Sequence, residues 1–329
     1  MSLIHSAEIA QTSFHTIPII DISHITSNDL SVRRALAMEI RDACINVGFF
    51  YVANHGVPDT IIEDFLTRSK EFFALPIESK LKIGNKSTSS MMGYSALLSG
   101  NNDPNGGGDL QEGFEFIGEP LDPLDQCPET NHSIGCNNWP SELPKFREAA
   151  LRYYFAVVNV GKLLFPIFAL ALDLEEEFFD EKTNNAAALM RTLRYPPQEG
   201  RTSDSVIGIG AHSDWECFTI LWQEPSIQAL QVLNSEEKWI NAPPVPGTFV
   251  INLGDQFARW TNGIFKSTVH RAINASSVCR YSIPLFMGAN WDARLDPVPG
   301  CVSPARPLQY EIITAGEYVK AKLVETYNH

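Results

Sequence analysis

His212, Ser213 and Asp214, with His270 far downstream and Arg280-Tyr281-Ser282 beyond it, are the residues whose types and spacing imply a specific chemistry. Two imidazoles and a carboxylate on one face of a metal leave several coordination positions open, an arrangement suited to non-haem Fe(II) that activates oxygen. Side chains at i and i+2 of a strand project to the same face, so His212 and Asp214 can converge, while His270 must arrive from another strand. The same alternation puts Glu216 on that face, so the residue pattern alone leaves two carboxylates in contention. Arg280 and Ser282 also share a face, where a guanidinium fork and a hydroxyl can grip one carboxylate.

The flanking segments are those that must position these groups. Phe218 to Trp222 and Phe249 to Leu253 are β-branched and aromatic runs broken by Pro and Gly, which predicts strands. Asn262-Gly263 predicts a hairpin between strands at Phe257–Trp260 and Phe265–Val269, the second of which would deliver His270. Upstream, Leu36, Ile40, Ala43 and Val47 recur at helical spacing over 29–47, with Gly48 as terminator before a strand at 49–52. A second amphipathic helix is predicted over 60–73, a long buried helix over 146–172, and a short helix over 314–327 with Tyr318, Leu323 and Val324 as its contacts. The Gly-, Ser- and Asn-rich stretch 86–118 lacks the Lys-Ser/Thr and strand-to-helix setting of a phosphate loop, and reads as a mobile segment over the active site.

Composition narrows the class. At 329 residues the chain can bury one large catalytic core with helical additions. Its formal charge of −14, with Lys and Arg scattered, argues against a nucleic-acid or anionic-membrane partner. The richest apolar run, 163–172, is shorter than the roughly 20 residues that span a bilayer, and no secretory signal opens the chain, so a cytoplasmic location is expected. The six cysteines show no C-x-x-C spacing, which argues for reduced thiols and against structural zinc. Of the remaining histidines, His5, His15, His24, His132 and His329 read as ordinary residues, and His55 as shaping the turn before Val57-Pro58.

The chain resembles the isopenicillin N synthase-like branch of the 2-oxoglutarate/Fe(II) dioxygenases. His212-x-Asp214, His270 and Arg280-x-Ser282 look like that family's iron ligands and 2-oxoglutarate clamp, with Arg194-Tyr195-Pro196 and Asn252-Leu253-Gly254-Asp255 around them. Ile17-Pro18-Ile19-Ile20-Asp21 and the run from Gly48 to Pro58 look like its N-terminal region. The resemblance selects Asp214 over Glu216 and adds Tyr195 as a hydroxyl contact to the co-substrate. It implies a mainly β, α+β fold: a double-stranded β-helix (jelly roll) core with a helical N-terminal region. The expected divisions are an N-terminal region 16–130, a helical connection 131–186, a β core 187–290 and a C-terminal helical tail 291–329.

The resemblance further implies Fe(II), 2-oxoglutarate and O2 as cofactor and co-substrates, with ascorbate stimulatory. Oxidation of a small molecule's C–H bond would accompany release of succinate and CO2, hydroxylation being the default outcome. Arg191, Trp215, Phe286 and Tyr94 stand at positions that border the substrate pocket in related enzymes, and suit a flat or aromatic molecule with one polar or anionic group, of natural-product or nucleobase type. Leu193 replaces an Asn common in plant members, which argues against a flavonoid role. No obligate protein partner is evident. A 2-oxoglutarate-independent oxidase of the isopenicillin N synthase type and a non-catalytic binding protein on the same scaffold are the alternatives.

Overall fold

The computed structural model describes residues 3–4, 13–85, 92–100, 109–121, 136–186, 188–198 and 208–327. Gly106 to Gly108, His5, His132 and His329 lie outside this set. In chain order the strands are β1 (Ile19–Asp21), β2 (Phe49–Ala53), β3 (Gly93–Ser95), β4 (Glu112–Ile117), β5 (Ala188–Tyr195), β6 (Ile209–His212), β7 (Phe218–Gln223), β8 (Leu230–Leu233), β9 (Trp239–Asn241), β10 (Thr248–Leu253), β11 (His270–Ala272) and β12 (Arg280–Met287). The helices are α1 (Leu30–Asn46), α2 (Asp59–Phe73), α3 (Ile77–Leu81), α4 (Pro144–Ala171), α5 (Asp180–Thr183), α6 (Asp255–Trp260) and α7 (Ala315–Tyr327).

The strands form an eight-stranded sheet, ordered β1-β2-β10-β7-β12-β5-β4-β3, and a four-stranded sheet, ordered β6-β11-β8-β9. Neighbours are antiparallel except β1 and β2. This is the expected jelly roll with added helices. Strand alternation assigns the two faces of the larger sheet. On β12, Tyr281, Ile283, Leu285 and Met287 join the main hydrophobic core, which the helices cover, whereas Arg280, Ser282, Pro284 and Phe286 line an internal cavity. On β4, Phe114 and Phe116 join the core, while Glu115 and Ile117 line the cavity. A smaller cluster of Val47, Phe49, Tyr51, Leu230, Val232, Ala242 and Val250 joins residues of both sheets.

Local chemistry sets the helix ends. Asp29 caps α1 by accepting from the Ser31 N–H at 2.8 Å, and Gly48, at φ +75°, stops it by donating to the Ala43 carbonyl. Thr314 and Glu317 form a reciprocal capping box at the start of α7: the Thr314 N–H donates to Glu317 Oε2 at 2.8 Å, and the Glu317 N–H to Thr314 Oγ1 at 3.2 Å. His55 shapes its turn as expected, its Nδ1 accepting from the Val57 N–H at 3.1 Å while the ring stacks on Phe249.

The long buried helix expected over 146–172 is α4, 28 residues long; it is long and apolar enough to cross a membrane, as the 163–172 run alone is not, although most of its apolar side chains are buried in the core. Two expectations are corrected. Phe257–Trp260 is helical, not a hairpin strand. Asn262 (φ 50°) and Gly263 (φ 75°) do adopt the left-handed conformation an Asn-Gly pair favours, but here they end α6, the Gly263 N–H donating to the Ala258 carbonyl at 2.7 Å. Val324, expected to pack, is 58 % exposed.

Candidate metal and co-substrate site

His212 ends β6 and His270 begins β11, and the two face each other as direct partners across these strands. Their rings lie 4.3 Å apart between centroids. Each Nδ1–H can donate to a carbonyl two residues upstream, that of Gly210 at 2.8 Å and that of Thr268 at 3.1 Å, which fixes the ring and leaves Nε2 as the ligating atom. Both Nε2 atoms stand 3.6 Å from Oδ1 of Asp214. The candidate ligand atoms of His212, Asp214 and His270 all lie within 4.8 Å of one another.

Asp214 does not arrive by strand alternation. The strand stops at His212, and Asp214 sits in the 213–217 loop, which the β10–α6 junction pins in place. The backbone N–H groups of Gly254, Asp255 and Gln256 donate to carbonyls of Cys217, Asp214 and the Trp215–Glu216 pair. A Cβ at Gly254 would collide with the Glu216 carbonyl and stand 2.9 Å from that of Asp214, so this close approach requires glycine. Thr219 and Asn252, neighbours across β7 and β10, both donate to Oδ2 of Asp214, Asn252 at 2.6 Å. The carboxylate is therefore held with Oδ1 alone toward the histidines. Glu216 instead accepts from Gln256 Nε2 at 2.8 Å.

The electrostatics suit a cation. Burial pushes the Asp214 carboxyl up, but His270, His212 and the Thr219 hydroxyl outweigh it and hold the group well below the carboxylate range. Burial and the neighbouring His212 push His270 down to about 4, so at neutral pH it presents the unprotonated nitrogen a metal requires.

Arg280 is 1 % exposed and lies opposite Tyr195 on β5, with its guanidinium 4.9 Å from that ring. One nitrogen reaches Gln223 Oε1 at 3.3 Å, whereas Nε and Nη1 have no hydrogen-bond partner. Burial pulls its pKa down, with Tyr195 opposing. A buried guanidinium with unmade bonds costs free energy that a carboxylate in the same space removes.

Arg280, Ser282, Tyr195 and the three candidate ligands line one cavity of about 390 Å³, as do Arg191, Trp215 and Phe286. Arg191 is ion-paired there to Glu115 at 2.9 Å. Tyr94 is not among the lining residues: it sits on the core face of β3, beside Phe72, and its hydroxyl donates to Glu112 at 2.7 Å. Its neighbour Ser95, on the other face, lines the cavity instead. From α7, Ala315, Val319 and Leu323 recur every four residues and line the cavity. The Tyr318 hydroxyl donates to Asp255 Oδ2 at 2.6 Å, and Ser213 Oγ reaches the same oxygen at 3.2 Å, which ties α7 to the metal loop.

Comparison with known proteins decides the family. Residues 17–142 match the model described as non-haem dioxygenase in morphine synthesis N-terminal, and residues 186–289 match that of the 2OG-Fe(II) oxygenase superfamily. The chain is 35 % identical over 317 residues to the 2-oxoglutarate-Fe(II) type oxidoreductase hxnY of Emericella nidulans, covering 94 % of this chain and 90 % of that one. The chain belongs to the 2OG-Fe(II) oxygenase superfamily. This oxygenase is also 32 % identical to a homoarginine-6-hydroxylase of Oryza sativa, over 96 % of its own length and 99 % of the relative's. A full-length Neurospora crassa protein crystallised with alpha-KG and thymine has the same architecture, with a TM-score of 0.83 and 26 % identity over 96 % of this chain and 99 % of that one. Like its relatives, the protein is a 2-oxoglutarate- and Fe(II)-dependent dioxygenase.

The residues present fit those groups. Two imidazole nitrogens and one carboxylate oxygen form a donor set for ferrous iron, and the orphaned nitrogens of Arg280 fit an anion. Thr219, which orients Asp214, carries no sequence signal beyond membership of a β-branched run. Asn252 and Gly254 are visible only as part of a family-like motif, and the close backbone approach that gives them their roles becomes apparent in the fold.

Proposed function

We propose that this enzyme binds Fe(II) through His212, Asp214 and His270, takes the distal carboxylate of 2-oxoglutarate on Arg280 and Ser282 with Tyr195 alongside, and oxidises a C–H bond of a small molecule in the same cavity. The observation that carries this reading is Arg280, a fully buried guanidinium with two unpartnered nitrogens in the cavity lined by the His-Asp-His cluster. When bound, iron and 2-oxoglutarate supply the oxidising power, the co-substrate leaving as succinate and CO2. The chain's own residues do the positioning. Thr219 and Asn252 hold one oxygen of Asp214 away from the metal face, and the Gly210 and Thr268 carbonyls hold the two imidazoles. Trp215 and Phe286 offer flat apolar walls, and α7 adds the apolar side chains of Ala315, Val319 and Leu323.

Relatives named for homoarginine hydroxylation and crystallised with thymine support a small-molecule substrate. A cytoplasmic location is supported by the five unpaired cysteines among the described residues. The test is a substrate screen scored by oxygen-dependent succinate formation. The reading predicts succinate released in step with substrate oxidation. A good turnover substrate with no succinate would move the enzyme to the oxidase class, and tight ligand binding with no turnover in iron, ascorbate and 2-oxoglutarate would make it a binding protein.

A further inference from the structure

We propose that the substrate end of the cavity selects a nitrogen-bearing hydrogen-bond donor, an amidine, amine or N–H amide, over a carboxylic acid, through the acceptors of Glu115 and Gln111. This rests on the reading that Arg280 is committed to 2-oxoglutarate.

Glu115 and Gln111 stand four residues apart on and just before β4, on its cavity face, and both line the cavity. Oε1 of Glu115 accepts from Ser95 Oγ and from Arg191 Nε, each at 2.9 Å, but Oε2 is buried with no partner. The amide oxygen of Gln111 is buried without a partner as well. Buried acceptors are nearly always satisfied in folded proteins, and leaving one unmade is unfavourable. Two orphaned acceptors on one wall call for a donor, and an acid cannot supply one in its ionised form.

The charges point the same way. Among the described residues, the cavity is lined by the carboxylates of Asp109, Glu115, Asp214 and Glu216 and by the guanidinium groups of Arg191 and Arg280. With Asp214 on the metal and Arg280 on the co-substrate, the cation left is Arg191, which is already paired to Glu115. Arg191, which by residue type suggests a receptor for an anionic substrate group, is thus neutralised by its strand neighbour. An incoming carboxylate would meet Asp109 and Glu115, whereas a donor nitrogen would find acceptors. The rest of the wall, with Trp215, Phe286 and Trp291, suits a flat apolar body carrying that nitrogen.

Benzamidine, benzamide and benzoate share one shape and differ in charge and donors, so they separate the cases. Their binding to the full-length Fe(II)-loaded protein is measured by calorimetry without oxygen, with and without 2-oxoglutarate. Benzamidine, benzamide or both should bind at least about tenfold more tightly than benzoate, the two arms distinguishing a cationic from a neutral donor. N,N-dimethylbenzamide, which lacks N–H groups, should lose the advantage. Glu115→Gln and Gln111→Met should each shrink the preference by roughly tenfold, and having both variants guards against one that fails to fold. Benzoate binding as tightly as the donors, no binding of either donor, or an undiminished preference in both variants overturns the proposal. Failure of 2-oxoglutarate itself to bind would count against the Arg280 reading instead, and the titrations without it still report the donor preference.

Discussion

The two ends of the cavity differ in how far the protein satisfies its own polar groups. At the metal end every orienting bond is made internally: both imidazoles are held by backbone carbonyls, and the outer oxygen of Asp214 by Thr219 and Asn252. At the other end Arg280 is as deeply buried, yet two of its nitrogens have no partner. The metal end is thus preorganised before anything binds, while the arginine end is completed by its ligand. Rigid support serves a metal that must keep a fixed geometry, and an unsatisfied cation gives selectivity for an anion that comes and goes.

The sharpest way to break the comparison is to remove a ligand. His212→Ala, His270→Ala and Asp214→Ala should each abolish turnover and weaken iron binding, because each removes one of three donors. Glu216→Ala, by contrast, should leave iron affinity nearly unchanged, since Glu216 is held by Gln256. Full activity in the histidine variants, or loss of iron in the Glu216 variant, would refute the assignment.

The next effect tests the support rather than the ligands. Asn252→Ala keeps all three donors but frees one oxygen of Asp214, and should lower iron affinity by about 10–100-fold in a metal titration. An unchanged affinity would mean that Thr219 alone orients the carboxylate.

At the opposite end the expected sign reverses. Arg280→Met removes a buried cation with unmade bonds, so the protein without 2-oxoglutarate should gain about 1–3 kcal/mol of stability. Saturating 2-oxoglutarate should then raise the melting temperature of the wild type only, by the equivalent of about 2.7 kcal/mol at a hundred times its Kd. A destabilised variant would show that Arg280 serves the fold. Smallest of all, Tyr318→Phe removes one hydrogen bond between α7 and Asp255 and should cost about 1 kcal/mol in a denaturant titration.

What the sequence showed follows from the same physics. The helices α1, α2, α4 and α7 were legible because apolar side chains recur at helical spacing over many turns. The six residues of α6 were not: Phe257, Ala258 and Trp260 are buried, and so short an apolar run reads equally as strand. The Asn-Gly pair after it fits a hairpin or a helix end, because both need positive φ. Alternation could not separate Asp214 from Glu216, since both lie in a loop shaped by contacts with Gly254 and α6, residues remote in sequence. Tyr94 and Ser95 exchanged places for a related reason, as all three residues of β3 are buried and carry no sign of which face meets the cavity. The pairing of Arg191 with Glu115 depends on strand register, which composition does not reveal.

The co-substrate end carries the central claim, and Arg280→Lys tests it most directly. Lysine keeps the charge but loses the planar two-pronged donor. With 2-oxoglutarate titrated into oxygen-dependent succinate assays and iron content measured on the same samples, the apparent KM for 2-oxoglutarate should rise by about tenfold to a hundredfold, the loss of one charge-assisted hydrogen bond, while iron stays normal. An unchanged 2-oxoglutarate KM with impaired binding of the main substrate would place Arg280 on that substrate and contradict the account.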